Sequence, residues 1–153
     1  MIWRLVYNLI LLPLFIASIF ILSIFNGKIR KGILGRIRSR KLINDFANRA
    51  KNNDIYWFHA ASLGEYEQIK PILTGLKEVE PEASFVISFF SPSGFDYVED
   101  NDVDCKIYLP FDFRWSVKYY LKKINPRKVV LAGYDVWPNF IWVAKELNIH
   151  SVL

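Results

Sequence analysis

The sequence contains few of the residues that build disulfides or metal sites. Cys105 is the only cysteine among 153 residues, so no disulfide can form within the chain, and a reducing compartment fits this composition. The two histidines, His59 and His150, lie far from Cys105 and from each other, and their spacing matches no metal site. We therefore expect no metal and no cofactor. Internal repeats and low-complexity tracts are also lacking, which leaves one modest domain and an N-terminal segment of about 50 residues.

Charge is absent from a long stretch near the N-terminus. Residues 5–25 are almost wholly apolar, and about 20 apolar residues suffice for a helix to cross the hydrocarbon core of a bilayer. Arg4 is the one charged side chain before this stretch, whereas seven follow it closely: Lys28, Arg30, Lys31, Arg36, Arg38, Arg40 and Lys41. Because basic residues stay on the cytoplasmic side, the pattern predicts that residues 1–27 form a single-pass anchor followed by a cytoplasmic domain.

Two alternatives apply to these segments. A cleaved signal peptide is disfavoured, because the basic residues lie on the wrong side and no clear small-residue cleavage site follows. The basic cluster could bind anionic lipid head groups, or it could only set the topology. The formal net charge of +5 is compatible with an anionic partner. Nucleic acid is the weaker interpretation, since the basic residues adjoin an apolar segment.

The rest of the chain predicts an α/β domain. Residues 28–54 form a basic juxtamembrane segment with a partly helical pattern, and residues 55–153 alternate between strand and helix patterns with short connections. Such alternation is typical of a Rossmann-like parallel sheet. The predicted strands cover 55–60, 84–90, 106–109, 128–132 and 150–153, and the predicted helices cover 65–79, about 95–99, 113–124 and 137–147.

One carboxylate stands out at the end of the first strand. The loops that follow parallel strands gather at one sheet edge, where open α/β sheets bind ligands. We expect the loops 61–65, 91–94, 110–112 and 133–135 to face one cleft there. Glu65 follows Gly64 at the start of a helix, and we interpret it as the residue that performs the chemistry. The alternative is that Glu65 only caps its helix. Asp112 is a candidate cap for the helix after it.

Four ordered motifs carry a resemblance to a known family. In sequence they are His59-Ala-Ala-Ser-Leu-Gly-Glu65, Ser91-Pro-Ser-Gly94, Tyr108-Leu-Pro-Phe-Asp112 and Asp135-Val-Trp-Pro-Asn139. Together they resemble the N-terminal half of the 3-deoxy-D-manno-octulosonic acid (Kdo) transferases of lipopolysaccharide synthesis. An apolar N-terminal anchor with a basic flank is also typical of that family.

The resemblance implies a GT-B glycosyltransferase, in which two Rossmann-like domains enclose the active site. Such enzymes move Kdo from CMP-Kdo to the lipid A precursor at the cytoplasmic face of the cell inner membrane and invert the anomeric centre. The implied general base is Glu65, which would take a proton from the acceptor hydroxyl. The implied substrate-binding residues are Ser62, Gly64, Ser93, Gly94, Asp112 and Asp135.

The sequence departs from the family pattern in three places. Asp135 stands where the family has Glu, and Gly133 stands where its more common form has another Glu. The family's second domain, which holds most of the CMP-sugar site, is absent from these residues, so we expect the chain to be a fragment that is inactive alone. The alternative function is a non-catalytic, membrane-anchored module that binds lipid or another partner.

Overall fold

The computed structural model describes residues 2–50, 53–99, 101–133 and 135–152. A π-helical stretch, Tyr7–Leu11, joins two α-helices, so that Ile2–Phe25 is one continuous helix, called the N-terminal helix below. The helices are α1 (Ile2–Val6), α2 (Leu12–Phe25), α3 (Gly27–Arg49), α4 (Leu63–Val79), α5 (Pro92–Tyr97), α6 (Arg114–Ile124) and α7 (Pro138–Glu146). The strands are β1 (Ile55–Ala60), β2 (Ser84–Phe89), β3 (Cys105–Tyr108), β4 (Lys128–Leu131) and β5 (His150–Val152).

The five strands form one parallel sheet in the order β3-β2-β1-β4-β5, which confirms the predicted α/β class. Every residue of β1 and β2 is buried, as expected for central strands that helices cover on both faces. The predicted bounds differ from the observed ones by one to three residues; for example, the third strand begins at Cys105 rather than Lys106, and the short helix predicted after the loop 91–94 already begins at Pro92. Leu153, in the last predicted strand, lies outside the described residues.

Helices pack on both faces of the sheet. On one face, α4 and α5 cover side chains such as Phe58 and Ile87. On the other face, α3, α6 and α7 cover Trp57 and Val129. The domain therefore has three layers, and the loops between strands and helices are left at the two ends of the sheet.

The basic segment after the apolar stretch belongs to this packing. The helical pattern that we predicted for this juxtamembrane segment is confirmed, but α3 is longer than expected: it runs from Gly27 to Arg49 and buries Ile43 and Phe46 in the core. Asn26 starts α3, since its side chain accepts hydrogen bonds from the backbone amides of Lys28 and Ile29. The boundary drawn between residues 54 and 55 stays a prediction.

The N-terminal helix is long and apolar enough to cross a membrane. It has 24 residues and a mean hydropathy of 2.5 over its most apolar window, and only 6% of that window is buried. By length and composition, this helix could span a bilayer.

The sheet order places a topological switch point beside β1. From β1 the chain proceeds outward to β2 and β3, and then returns to add β4 and β5 on the opposite side of β1. In open α/β sheets, the crevice outside the carboxyl ends of the strands at such a point is where ligands bind. The loops that follow β1 and β4 border this crevice.

Candidate active site

The loops at the carboxyl edge of the sheet are hydrogen-bonded to one another. The amide of Ser91, after β2, donates to the carbonyl of Ala61, after β1, over 2.9 Å. On the other side of β1, the amide of Ala132 donates to the carbonyl of His59 over 2.8 Å. These bonds hold three of the loops side by side, as we predicted for a single cleft.

Glu65 lies at the centre of this edge. It is the third residue of α4, and its Oε2 accepts a hydrogen bond from the amide of Ala61 over 2.5 Å. A glutamate at this position of a helix commonly binds a backbone amide just before it, as in a capping box. The carboxyl group also faces Gly133, where an added Cβ would lie 3.6 Å from Cδ of Glu65. Glu65 thus bridges the β1 and β4 loops at the switch point.

Glycine at position 133 suits the backbone there. Gly133 has φ +66°, in the left-handed region that residues with a Cβ rarely adopt. A glutamate at this position, as in the more common family pattern, would be strained in this loop conformation. Without a Cβ, residue 133 itself does not cover the Glu65 carboxyl group.

Asp135 is held by a histidine from the central strand. Its Oδ2 lies 3.3 Å from Nε2 of His59, and Nδ1 of the same ring lies 2.9 Å from the carbonyl of Ser88 in β2. His59 is fully buried, whereas the Asp135 side chain is 30% exposed. His59 is therefore a hydrogen-bonded core residue. Asp135 therefore stands at the sheet edge with one face toward solvent.

The loop after β2 contains two residues of different character. Ser93 is exposed, and its hydroxyl lies 2.6 Å from the hydroxyl of Ser91. Gly94 is buried against Phe89, and a Cβ added at Gly94 would lie 2.1 Å from that ring. Glycine is therefore required at 94 for packing. Ser93, by contrast, is available to a ligand.

Asp112 is buried rather than open to the cleft. It is 1% exposed, and its carboxylate accepts bonds from the amides of Asn139 and Phe140 and from the hydroxyl of Tyr7. We predicted that Asp112 caps the helix after it, and this is wrong: α6 starts without a side-chain cap, and Asp112 caps α7 instead. Burial raises the pKa of Asp112 to about 6, although the three hydrogen bonds oppose this shift. Direct contact between Asp112 and substrate stays a prediction that this burial disfavours.

The other two predicted binding residues flank the start of α4. Ser62 precedes the helix in an extended conformation and makes no side-chain cap bond. Gly64 is exposed, and no atom of the described residues lies within 4 Å of where its Cβ would be. Both positions border the space in front of Glu65.

An apolar groove with basic side chains opens beside the loop after β2. It has a volume of about 650 Å³ and lies between the N-terminal helix, α3 and that loop; its lining includes Phe15, Lys28, Lys31, Arg36, Phe90 and Ser93. The guanidinium of Arg36 donates to the carbonyls of Gly32 and Phe90 and lies 4.6 Å from the Phe90 ring centre. Burial lowers the pKa of Arg36 to about 10, so this residue is still charged at neutral pH.

The comparisons with known proteins agree with this geometry. The family model for 3-deoxy-D-manno-octulosonic-acid transferase (Kdo transferase) matches residues 34–153, which is more than half of the chain. The chain belongs to the Kdo transferase family.

Curated Kdo transferases from several bacteria are similar to this chain. The one from Aquifex aeolicus is 32% identical over 91 residues, which cover 58% of this chain and 25% of that protein. The one from Haemophilus influenzae is 28% identical over 156 aligned residues, which cover 99% of this chain and 35% of that protein. The chain therefore spans about a third or less of the length of these relatives.

Several residues that shape this site were not predicted from the sequence. The carbonyl of Ser88 lies within hydrogen-bond distance of the His59 ring, and Arg36 donates to the carbonyl of Phe90 beside the groove. In the apolar stretch, Tyr7 is hydrogen-bonded to Asp112 and Asn8 to Asn139. Arg36 is one of the seven basic residues that closely follow the apolar stretch, and no pattern in the sequence distinguishes it from the other six. For Tyr7 and Asn8, the available signal was that both are polar residues inside an otherwise apolar stretch.

Proposed function

We propose that this chain is the acceptor-binding half of a Kdo transferase that moves Kdo from CMP-Kdo to the lipid A precursor. In this proposal the reaction inverts the anomeric centre, and the half that binds CMP-Kdo lies outside these 153 residues. The observation that carries the proposal is the position of Glu65, which bridges the β1 and β4 loops at the switch point of a sheet from this family.

The proposed role of Glu65 is that of general base. As the acceptor hydroxyl attacks the anomeric carbon of Kdo, the Glu65 carboxylate takes its proton, and CMP leaves with the bonding electron pair. The amide of Ala61 holds one carboxylate oxygen in place, which leaves the other oxygen for the hydroxyl. We propose that Ser62, Gly64, Ser93 and Asp135 contact the substrates, while Gly94 and Asp112 support the loops through packing and capping.

The acceptor assignment draws on the groove beside Ser93. A lipid A precursor carries acyl chains and phosphates, and the groove combines apolar walls with Lys28 and Lys31 at its border. In the proposal, the membrane is the inner membrane and the domain lies at its cytoplasmic face, where the basic residues of α3 meet anionic lipid head groups.

The test is transfer of radiolabelled Kdo from CMP-Kdo to lipid A precursor by membranes that contain the full-length gene product. We expect labelled lipid with CMP-Kdo and none when CMP-N-acetylneuraminate is the donor. Absence of Kdo transfer, together with retention of lipid A precursor by the chain, would favour the alternative of a non-catalytic lipid-binding module.

A further inference from the structure

The N-terminal helix is bonded to the domain near its first residues. Arg4 forms an ion pair with Glu146 of α7 over 3.4 Å and lies 4.9 Å from the ring centre of Trp142. One turn later, the hydroxyl of Tyr7 donates to Asp112 over 2.8 Å. The neighbouring Asn8 accepts a hydrogen bond from Asn139 over 2.7 Å. Tyr7 and Asn8, two polar residues of this apolar stretch, thus have specific partners on the globular domain.

The contacts continue along the same face of the helix. Leu12 and Ile16 are buried against the domain, at 1% and 9% exposure. The ring of Phe15 lies 6.0 Å from Trp137 and 6.4 Å from Phe90. The helix therefore contacts the domain at intervals of four residues, which is the spacing of one helical face.

The far end of the helix is tied to the same domain. Phe20 lies 6.2 Å from Phe111, and α3, which begins two residues after Phe25, packs on the sheet. In α3, the hydroxyl of Ser39 accepts a hydrogen bond from the amide of Tyr108 over 2.8 Å. Both ends of the N-terminal helix thus lie against one globular body.

This arrangement is incompatible with a single pass through a bilayer. At 1.5 Å per residue, 24 helical residues extend about 36 Å, and the hydrocarbon core is about 30 Å thick. If the docked helix crossed the core, the domain beside it would have to enter the core as well. The domain surface there carries Arg114 and Glu146, and charged groups are costly in hydrocarbon.

The opposite face of the helix is apolar and uncovered. Leu5, Leu9, Leu14, Ile21, Leu22 and Phe25 are all at least half exposed within this structure. Exposed basic residues of α3, such as Lys28, Arg30 and Arg38, follow directly. A helix with an apolar outer face beside basic residues has the chemistry of a segment that lies in the interface of an anionic membrane.

We propose that the N-terminal helix lies along the bilayer surface, with its outer face among lipid acyl chains and its inner face forming a wall of the site. The inner face contacts Phe90, Phe111, Asp112 and Trp137, which belong to three of the four loops at the carboxyl edge of the sheet. The cleft then opens beside the lipid surface. If the proposed function is correct, an acyl-anchored acceptor reaches Glu65 without leaving the membrane.

The first test asks whether the helix stays docked in a membrane. Arg4→Cys and Glu146→Cys replace the partners of a half-exposed ion pair, and the chain is reconstituted in vesicles of phosphatidylethanolamine and phosphatidylglycerol. We expect a short thiol-reactive bifunctional reagent to join the two cysteines. The matched control pairs Arg4→Cys with Glu78→Cys on α4, which should remain unjoined. Native Cys105 is buried, and burial raises the pKa of its thiol to about 12, so it should not react.

The second test measures depth. A fluorophore on Leu9→Cys or Ile21→Cys is quenched by lipids that carry nitroxides at different acyl positions. A helix in the membrane plane places the two probes at similar depth, whereas a spanning helix separates them by about 18 Å along the normal.

Absence of the Arg4–Glu146 link in vesicles, or a large difference in depth, would overturn the proposal. Lack of lipid quenching at both positions, with links between copies through Leu9→Cys, would show that a second copy covers this face and would also overturn it. None of these readouts depends on Kdo transfer, so they separate this inference from the proposed function.

Discussion

Glu65 and Asp112 are two carboxylates at the same edge of one sheet, and their surroundings differ sharply. Asp112, after β3, is 1% exposed and accepts three hydrogen bonds, two from the start of α7 and one from the N-terminal helix. Glu65, after β1, is partly exposed and, among the residues that the structure describes, accepts one hydrogen bond, from its own loop. A carboxylate whose oxygens are committed to amides supports structure. A carboxylate with a free side at the switch point is available for chemistry.

The two loops that carry these carboxylates also differ in how they are connected to the rest of the chain. The β3–α6 loop joins three distant parts of the chain, whereas the β1–α4 loop is mostly self-contained and is open toward Gly133. Substitutions in the first loop should change the stability of the fold. Substitutions in the second loop should change the reaction and leave the fold in place. For each variant, the free energy of unfolding is measured by chemical denaturation of the chain in detergent micelles.

The largest stability effect is expected for Asp112→Asn. The amide keeps a single acceptor oxygen, so at least one buried donor loses its partner, and the free energy of unfolding should fall by about 2–3 kcal/mol near pH 4.5. Asp96→Asn, on the short helix α5, is the matched control. Because Asp96 forms a surface ion pair with Lys31, this substitution should change the free energy of unfolding by less than about 1 kcal/mol. Equal effects of the two substitutions would contradict the structural role of Asp112.

The same variant should show a characteristic pH dependence. Burial raises the folded-state pKa of Asp112 to about 6, above its ordinary value, so the folded protein binds more protons than the unfolded chain between these two values. The contribution of Asp112 to stability therefore falls as the pH rises from about 4 to about 6, by about 3 kcal/mol. The stability difference between wild type and Asp112→Asn should be larger at pH 4.5 than at pH 7. A difference that grows with pH would show that the carboxyl pKa is lowered instead.

A smaller effect is expected for Tyr7→Phe. The phenyl ring keeps the packing against Trp142 and makes the helix more apolar, but Asp112 loses one donor, so stability should fall by about 1 kcal/mol. Tyr97→Phe, at a side chain that is 75% exposed, is the matched control and should have no measurable effect. If the N-terminal helix were only a tether, Tyr7→Phe would also have no effect.

Gly133→Ala should have a comparable or slightly smaller effect. A Cβ at φ +66° costs about 1 kcal/mol, because the left-handed region disfavours residues with a side chain. Gly75→Ala, inside α4 with open space around it, should instead raise stability by about 0.5–1 kcal/mol. A loss of stability in both variants would show that the strain at Gly133 is not the cause.

The elements of the domain followed from local patterns in the sequence. Apolar runs such as Ile55–Ala60 predicted buried strands, and their alternation with helices predicted a parallel sheet with its loops at one edge. The position of Glu65 followed in turn, because topology alone brings a residue after β1 to that edge.

The tertiary partners did not follow from those patterns. Asp112 precedes one helix in sequence, yet it caps another helix whose first turn is 27 residues away. Tyr7 and Asp112 are 105 residues apart, and Asn8 and Asn139 are 131 residues apart. Such pairs depend on how the layers are stacked, and no local period encodes them. An apolar run likewise indicates a membrane segment without indicating whether it spans the bilayer or lies against the domain.

The measurement that tests the central claim most directly is the initial rate of Kdo transfer by Glu65→Gln in the full-length protein. Glu67→Gln, at an exposed position on the same helix, is the matched control. Because the amide cannot accept the proton from the acceptor hydroxyl, we predict at least about a 100-fold loss of rate per folded molecule. The unfolding free energy should change by less than about 0.5 kcal/mol, since the amide oxygen can still accept from Ala61. Transfer by Glu65→Gln at the rate of Glu67→Gln would contradict the assignment of Glu65 as the base.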